Sequence, residues 1–320
     1  MSEGKTTKDF HEERLSRGQS VGIINLGCAR NTVDSQTILS NLKRNGHRIV
    51  DVQKSDIAIV NTCAFIEEAK QESLNTIVQL LDLKKQGKLK KVIVAGCLAQ
   101  RYAKELTSEF KDIDAIIGAQ KLNSNDIPSN VSLTPRHYAY VKISESCYNR
   151  CSFCIIPKIK GKFVSRTMKS VLDEIERLDD LGVKEINLIG QDITAYGMDL
   201  YHEFSLAKLL QKIAAACRNI QWIRLLYAFP AHVTDELIDV IAAEPKICKY
   251  IDMPLQHISD HILKEQNRNI DTKRTWELVE KIRRKIPGGS LRTTFIVGLP
   301  GETEDDFKEL LEFVAGKNVF

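Results

Sequence analysis

The sequence predicts an α/β protein in two parts: an N-terminal flavodoxin-like parallel-sheet domain, followed by a (β/α) partial barrel. Three observations carry this expectation. Short β-branched runs alternate with amphipathic helical segments along the chain. The runs are continuous rather than alternating, as in strands buried on both faces. A stretch rich in Asn, Ser and Pro between Leu122 and Pro135 separates two such series. With 320 residues, 43% of them hydrophobic and 28% charged, the chain has the length and composition for two cores.

Taken in order, residues 1–18 read as a disordered tail, and Val21-Gly-Ile-Ile-Asn-Leu26 as the first buried strand. Val33, Ile38, Leu39 and Leu42 then fall on one face of a helix that stops at Gly46. Ile57–Asn61 leads into a long helix from Ile66 to Gln86, stopped by Gly87. Lys91–Ala95 leads into a helix running through Tyr102 to Leu106, and Asp114–Ile117 supplies one more strand. Residues 19–125 form the first domain and 126–137 the linker. From Tyr138 a second series begins, with strands at Tyr138–Ile143, Glu185–Ile189, Trp222–Tyr227, Tyr250–Met253 and Arg292–Val297. Helices such as Ser170–Leu181 and Thr272–Arg284 fill the gaps. Five strands with crossovers imply a curved parallel sheet whose site lies at the carboxyl-end loops.

The cysteines fall at those ends. Cys147, Cys151 and Cys154 lie in one loop after the first strand of the second series, spaced C-x3-C-x2-C. A structural zinc needs four ligands, and the nearest imidazole, His137, is ten residues upstream of Cys147. An iron–sulfur cluster tolerates an incomplete protein ligand set. A zinc site with a distant fourth ligand stays open. Cys28, Cys63 and Cys97 each follow a strand of the first series, 35 and 34 residues apart, so an open parallel sheet would bring them together. Gly27 and Gly96 beside them suit close approach of the backbone. The alternative is three small buried residues near strand ends. Cys217 and Cys248 have no partner spacing, and His257 reads as a hydrogen-bonded strand-end residue.

Composition narrows the class. Eight cysteines without a secretory context point to metal or redox chemistry in a reducing compartment, with oxygen sensitivity as a consequence. No run approaches the roughly 18 apolar residues that span a bilayer, and Met1–Gln19 is polar, so a cytoplasmic protein is expected. Net charge is +4. The basic runs at Lys84–Lys91 and Lys281–Lys285 lack interleaved aromatics, which argues against base stacking.

Gly27-Cys-Ala-Arg-Asn-Thr-Val-Asp-Ser35, Asn61-Thr-Cys63, Ala95-Gly-Cys97 and the Cys147–Cys154 loop together resemble the radical S-adenosylmethionine methylthiotransferases (MiaB/RimO-type) from about Ser20 onward. The resemblance implies two [4Fe–4S] clusters and S-adenosylmethionine as cofactors. The radical-generating cluster would sit on Cys147, Cys151 and Cys154, the auxiliary one on Cys28, Cys63 and Cys97. It further implies a radical SAM domain over 138–320, incomplete by one strand of a six-unit barrel, and a chain truncated before a small C-terminal TRAM-type β domain. Phe153 would pack by the cofactor's adenine. Gln191 and Asp192, standing where radical enzymes usually carry Gly-Gly-Glu, would bind its amino group, with Gln256 and Val297 as weaker cofactor contacts. Arg30 and Gln36 stand where the family often has Lys and Glu.

Gln191-Asp-Ile-Thr-Ala-Tyr-Gly-Met-Asp-Leu-Tyr201 resembles the branch that modifies an aspartate of the small-subunit ribosomal protein S-twelve. The near-neutral charge leans the same way, toward a protein substrate. The tRNA-modifying branch, which usually carries Asn where Asp192 stands, is the alternative, and a zinc-stabilised binding module without catalysis is a third class. An electron donor such as flavodoxin or ferredoxin, no membrane partner and a monomeric state complete the expectation.

Overall fold

The computed structural model describes residues 18–122 and 131–316. The expected tail, apart from Gly18, and residues 126–130 of the expected linker lie outside the described residues. The chain divides into two compact units, one ending at Leu133 and taking in Lys158–Gly161, the other beginning at Thr134.

The first unit is built from β1 (Ser20–Asn25), α1 (Ala29–Arg44), β2 (Arg48–Ile49), β3 (Ile57–Thr62), α2 (Glu67–Lys85), β4 (Lys91–Gly96), α3 (Cys97–Arg101), α4 (Ala103–Glu109) and β5 (Ala115–Gly118). All its strand pairs are parallel, in the order β2-β1-β3-β4-β5. This is the doubly wound flavodoxin-like order, with the reversal between β1 and β3. β3 is buried at every position, which explains its continuous apolar run. Ile38 and Leu42 of α1 pack with Val21, Ile57, Ile59 and Ile93 on one face.

Three boundaries differ from expectation. β2 is not foreseeable because two residues carry no period, and only its pairing of Ser20 with Arg48 and Val21 with Ile49 defines it. The helix expected through Tyr102 is interrupted there, where the backbone turns to φ −127°. α1 starts four residues before Val33, because its first turn buries Asn31 rather than an apolar side chain.

The second unit runs β6 (Tyr138–Lys142), β7 (Ser144–Glu145), α5 (Ile156–Lys160, whose last three residues pack with the first unit), β8 (Val164–Ser165), α6 (Met168–Asp180), β9 (Glu185–Ile189) and α7 (Leu206–Ala216). It continues with β10 (Trp222–Leu225), α8 (Asp235–Ala243), β11 (Ile247–Asp252), α9 (Asp260–Glu265), α10 (Thr272–Lys285), β12 (Ser290–Arg292) and α11 (Glu304–Ala315). Its main sheet is parallel, in the order β12-β11-β10-β9-β6, and among the described residues no sixth strand extends it. One face, with Val141, Leu188, Leu225, Ile251 and Leu291, packs under Val171, Leu209, Ile238 and Val279 of the helices. The opposite face carries polar side chains, among them Asn187, Arg224 and Asp252, as the interior of a partial barrel does.

Two strands end more than one residue earlier than expected. β10 stops at Leu225 because Tyr227 adopts φ +71°, and β12 stops at Arg292, with only an isolated bridge between Gln256 and Phe295 beyond it. Val297 therefore lies outside the sheet, 55% exposed.

Asp179 ties this unit together, its carboxylate accepting the backbone N–H groups of Arg218 (3.1 Å), Asn219 (2.7 Å) and Ile220 (2.7 Å). Asp179→Ala leaves these donors without acceptors and is expected to destabilise the second unit by about 3 kcal/mol, read as a lowered calorimetric midpoint under anaerobic conditions.

Candidate functional site

In the first unit, β1, β3 and β4 are neighbours, and the register pairs Asn25 with Asn61 and Thr62 with Gly96. Cys63 and Cys97 therefore leave adjacent strands at one level, with Cys28 three residues past Asn25. Cys28 caps the N-terminus of α1 and Cys97 opens α3. The Cys63 N–H donates to Ser73 Oγ at 3.1 Å. Gly27, at φ +88°, explains how the segments meet: a Cβ there would stand 2.8 Å from Cys63 Cβ and 3.2 Å from its Sγ. Gly96, at φ +97°, would likewise press a Cβ to 2.7 Å from the Thr62 carbonyl oxygen.

A polar scaffold supports these turns. Asn31 Nδ2 donates to the carbonyls of Leu26 (2.8 Å) and Thr62 (3.1 Å), and Asn61 Nδ2 donates to the Asn31 carbonyl (2.9 Å) and Ser35 Oγ (2.9 Å). Lys160 Nζ meets Asp34 at 2.9 Å, both side chains only 2% exposed. Burial raises the Cys28 thiol, but the charge of Arg30, the N–H groups of Asn31 and Arg30, and the charge of Lys160 outweigh it, and the net direction is down. Burial pushes Cys63 up, and Cys97 to about 12.

In the second unit, the loop leaves the first sheet strand through Ser146, at φ +63°. Asn149 Nδ2 donates to Cys147 Sγ at 3.8 Å and to Asp192 at 2.8 Å. Asp192 also meets His232 Nδ1 (2.8 Å) and accepts from the Thr194 N–H (3.0 Å), the Thr194 hydroxyl and the Ala195 N–H (3.3 Å). From the far side, the Ser152 N–H donates to the Gln266 carbonyl (3.0 Å), and Asn267 Nδ2 donates to the Arg150 carbonyl (2.8 Å). Arg268 Nη1 donates to Cys151 Sγ at 3.8 Å and Nη2 to the Pro254 carbonyl at 2.7 Å, with the guanidinium 4.3 Å from the Phe229 ring centroid. Burial pushes the Cys147 thiol up to about 12.

The expected site residues fall into distinct roles. Gln191 and Gln256 each bury an amide Oε1 that accepts from no donor among the described residues, and Gln256 is held at φ +72°. Such atoms need a donor from elsewhere, which a cofactor amino group would supply. Phe153, 37% exposed between Ser152 and Cys154, offers a ring at the loop surface. Asp192 differs from expectation, because its oxygens are filled by the loop and its supports, so it positions the loop. Val297 lies beyond the end of β12, more than half exposed. His257 is fully buried, its Nδ1 accepting from the Ser259 N–H at 3.1 Å.

Asn149, His232 and Arg268 carry no signal in the sequence. A single Arg after a helix end reads as a surface charge, and only its burial against Phe229 shows otherwise. None of the eight cysteines is in a disulfide. Among the described residues no three Cys, His, Asp or Glu side chains converge as the ligands of one ion. A polynuclear cluster does not ask them to, because each thiolate binds a different iron. Thiolate donors in two groups of three, with a cation beside a cysteine in each, fit such centres.

The comparisons agree with this geometry. Residues 141–314 match the radical SAM superfamily and residues 20–118 match the uncharacterized protein family UPF0004. Two solved structures share the fold: the cobalamin-dependent radical enzyme OxsB (TM-score 0.64, 14% identity, 92% of this chain and 51% of that one) and the methyltransferase TsrM from Kitasatospora setae (0.64, 15%, 92% and 70%). The fold and the cysteine loop thus define a radical SAM enzyme, which implies S-adenosylmethionine and a [4Fe–4S] cluster. Ribosomal protein uS12 methylthiotransferase RimO of Phocaeicola vulgatus is 44% identical over 92% of this chain and 71% of its own length, and that of a Thermoanaerobacter species 46% identical over 93% and 74%. The chain belongs to the RimO family of radical SAM methylthiotransferases.

Arg268→Met removes a cation from beside the Cys151 sulfur, and a cluster held by that thiolate would become harder to reduce. Taking a charge-assisted hydrogen bond at about 1.4 kcal/mol, the midpoint potential is expected to fall by on the order of 60 mV in an EPR-monitored titration.

Proposed function

We propose that this chain transfers a methylthio group to the β-carbon of an aspartate in ribosomal protein uS12. The observation that carries the reading is the three-cysteine set at the strand ends of the first sheet, accompanying the radical SAM loop in a chain 44–46% identical to uS12 methylthiotransferases.

Cys147, Cys151 and Cys154 would hold the radical SAM cluster, and Cys28, Cys63 and Cys97 a second [4Fe–4S] cluster. With S-adenosylmethionine, these groups supply one-electron cleavage of the cofactor, hydrogen removal from an unactivated carbon, and the sulfur. Gln191 and Gln256 present their buried oxygens to the cofactor's amino group, and Phe153 presents its ring to the adenine. Val297 closes the cofactor side past the last strand. Asp192, through Asn149 and His232, fixes the loop, and Arg268 sets the charge beside Cys151. Residues 19–125 serve as the methylthiotransferase domain, 126–137 as linker and 138–320 as the radical SAM domain. Among the described residues no helix is long and apolar enough to cross a membrane. The protein would act as a cytoplasmic monomer, reduced by a flavodoxin or ferredoxin.

Incubation of the reconstituted enzyme with uS12 and, separately, with unmodified tRNA is the direct assay, read by mass spectrometry. A methylthio group on the uS12 aspartate and none on tRNA is the expected result; modification of tRNA adenosine with uS12 unchanged overturns the substrate. Replacing Cys28, Cys63 and Cys97 together by Ala is expected to abolish transfer while leaving cofactor cleavage measurable.

A further inference from the structure

We infer that Arg292 receives the side-chain carboxylate of the substrate aspartate and so determines which class of substrate is accepted. This rests on the reading of the chain as an aspartate-modifying enzyme.

Cross-strand register places the residues. Asp252 pairs with Arg292, Tyr250 with Ser290, and Arg224 lies beside Asn187. Their chain neighbours Ile251 and Leu291 point into the helix-covered core, so Tyr250, Asp252, Arg224 and Arg292 share the opposite, polar face. Arg292 is the last residue of β12, at the sheet end from which the cysteine loop, Gln191 and Gln256 also emerge. In parallel sheets this is the end at which ligands bind.

Three cations stand on this face, and they differ in availability. Lys142 is paired with Glu145 at 2.6 Å with its side chain 10% exposed, and Arg224 with Glu185 at 2.7 Å with 30% exposed. Arg292 meets Asp252 at 3.2 Å yet keeps 58% of its side chain exposed, while Asp252 is 1% exposed. Its anchor is built at a cost. Asp252 is buried and accepts the Tyr227 N–H at 3.3 Å, which requires an aromatic residue to hold φ +71°. Tyr250 stands two residues before Asp252 on the same face, its ring 5.2 Å under the Arg224 guanidinium. A plain surface ion pair needs no buried, strained support. A guanidinium anchored on one edge presents its remaining donors as a fork that matches a carboxylate.

The chemistry explains why such a fork is useful. Hydrogen removal needs the reacting carbon held at near-contact distance. The β-carbon of aspartate is one bond from its carboxylate, so fixing the carboxylate fixes the carbon. An adenosine offers no carboxylate, and the same cation would not orient it.

The test uses fluorescently labelled uS12 and its variant with Asn at the modified aspartate, binding to the reconstituted full chain. The wild type is expected to prefer the aspartate form by about tenfold or more, and Arg292→Gln to lose that preference with the iron–sulfur absorbance intact. Arg292→Lys, which keeps the charge and lacks the fork, is expected to show a smaller preference, and it serves if the Gln variant fails to hold its clusters. An unchanged preference in either variant overturns the role of Arg292. A wild type that binds neither form overturns the uS12 reading itself, and with it the inference.

Discussion

The buried carboxylate of Asp192 is the interaction on which the second unit's chemistry depends. A cysteine loop that closes on an inorganic centre carries its ligands on irregular backbone, so its shape must be imposed from outside. Asp192 does this by joining Asn149, which reaches Cys147, to His232 and to the turn at Thr194 and Ala195. Its amide, hydroxyl and backbone partners are donors, so the carboxylate is solvated by the protein in place of water. Removing any one would leave a buried acceptor short and loosen the segment that presents the thiols.

In the first unit the three cysteines are brought together chiefly by sheet geometry. Adjacent parallel strands deliver Cys28, Cys63 and Cys97 to one edge, and two glycines at positive φ let the segments approach. α1 buries Asn31 and Ser35 where a doubly wound domain ordinarily buries aliphatic side chains, because those residues serve the turns beneath the thiols.

Much of this is legible in the sequence. Continuous apolar runs mark the strands of the first sheet other than β2, and runs interrupted by polar residues such as Asn187, Arg224 and Asp252 mark those of the second, except β12, whose expected run lies beyond Arg292. The six cysteines are legible because each set follows such runs. The short edge strand β2 is not, having no period, nor are the early ends of β10 and β12, which depend on Tyr227 and Gln256 taking left-handed conformations that no local pattern announces. Asp192 is recognisable as a site residue, but its role as a support for the loop is not, because Asn149 and His232 lie 40 or more residues away in sequence. Arg268 and Arg292 look like ordinary surface charges until burial and cross-strand register are known.

The proposed chemistry requires two separate three-cysteine sets, each holding its own cluster. Iron and sulfide analysis with Mössbauer spectroscopy probes this requirement, on the wild type and on the two triple Cys→Ala variants. About eight irons are expected in the wild type and about four in each variant, all as [4Fe–4S] clusters. About four irons in the wild type, unchanged when Cys28, Cys63 and Cys97 are replaced, or stoichiometric zinc in their place, would rule out the paired-cluster arrangement.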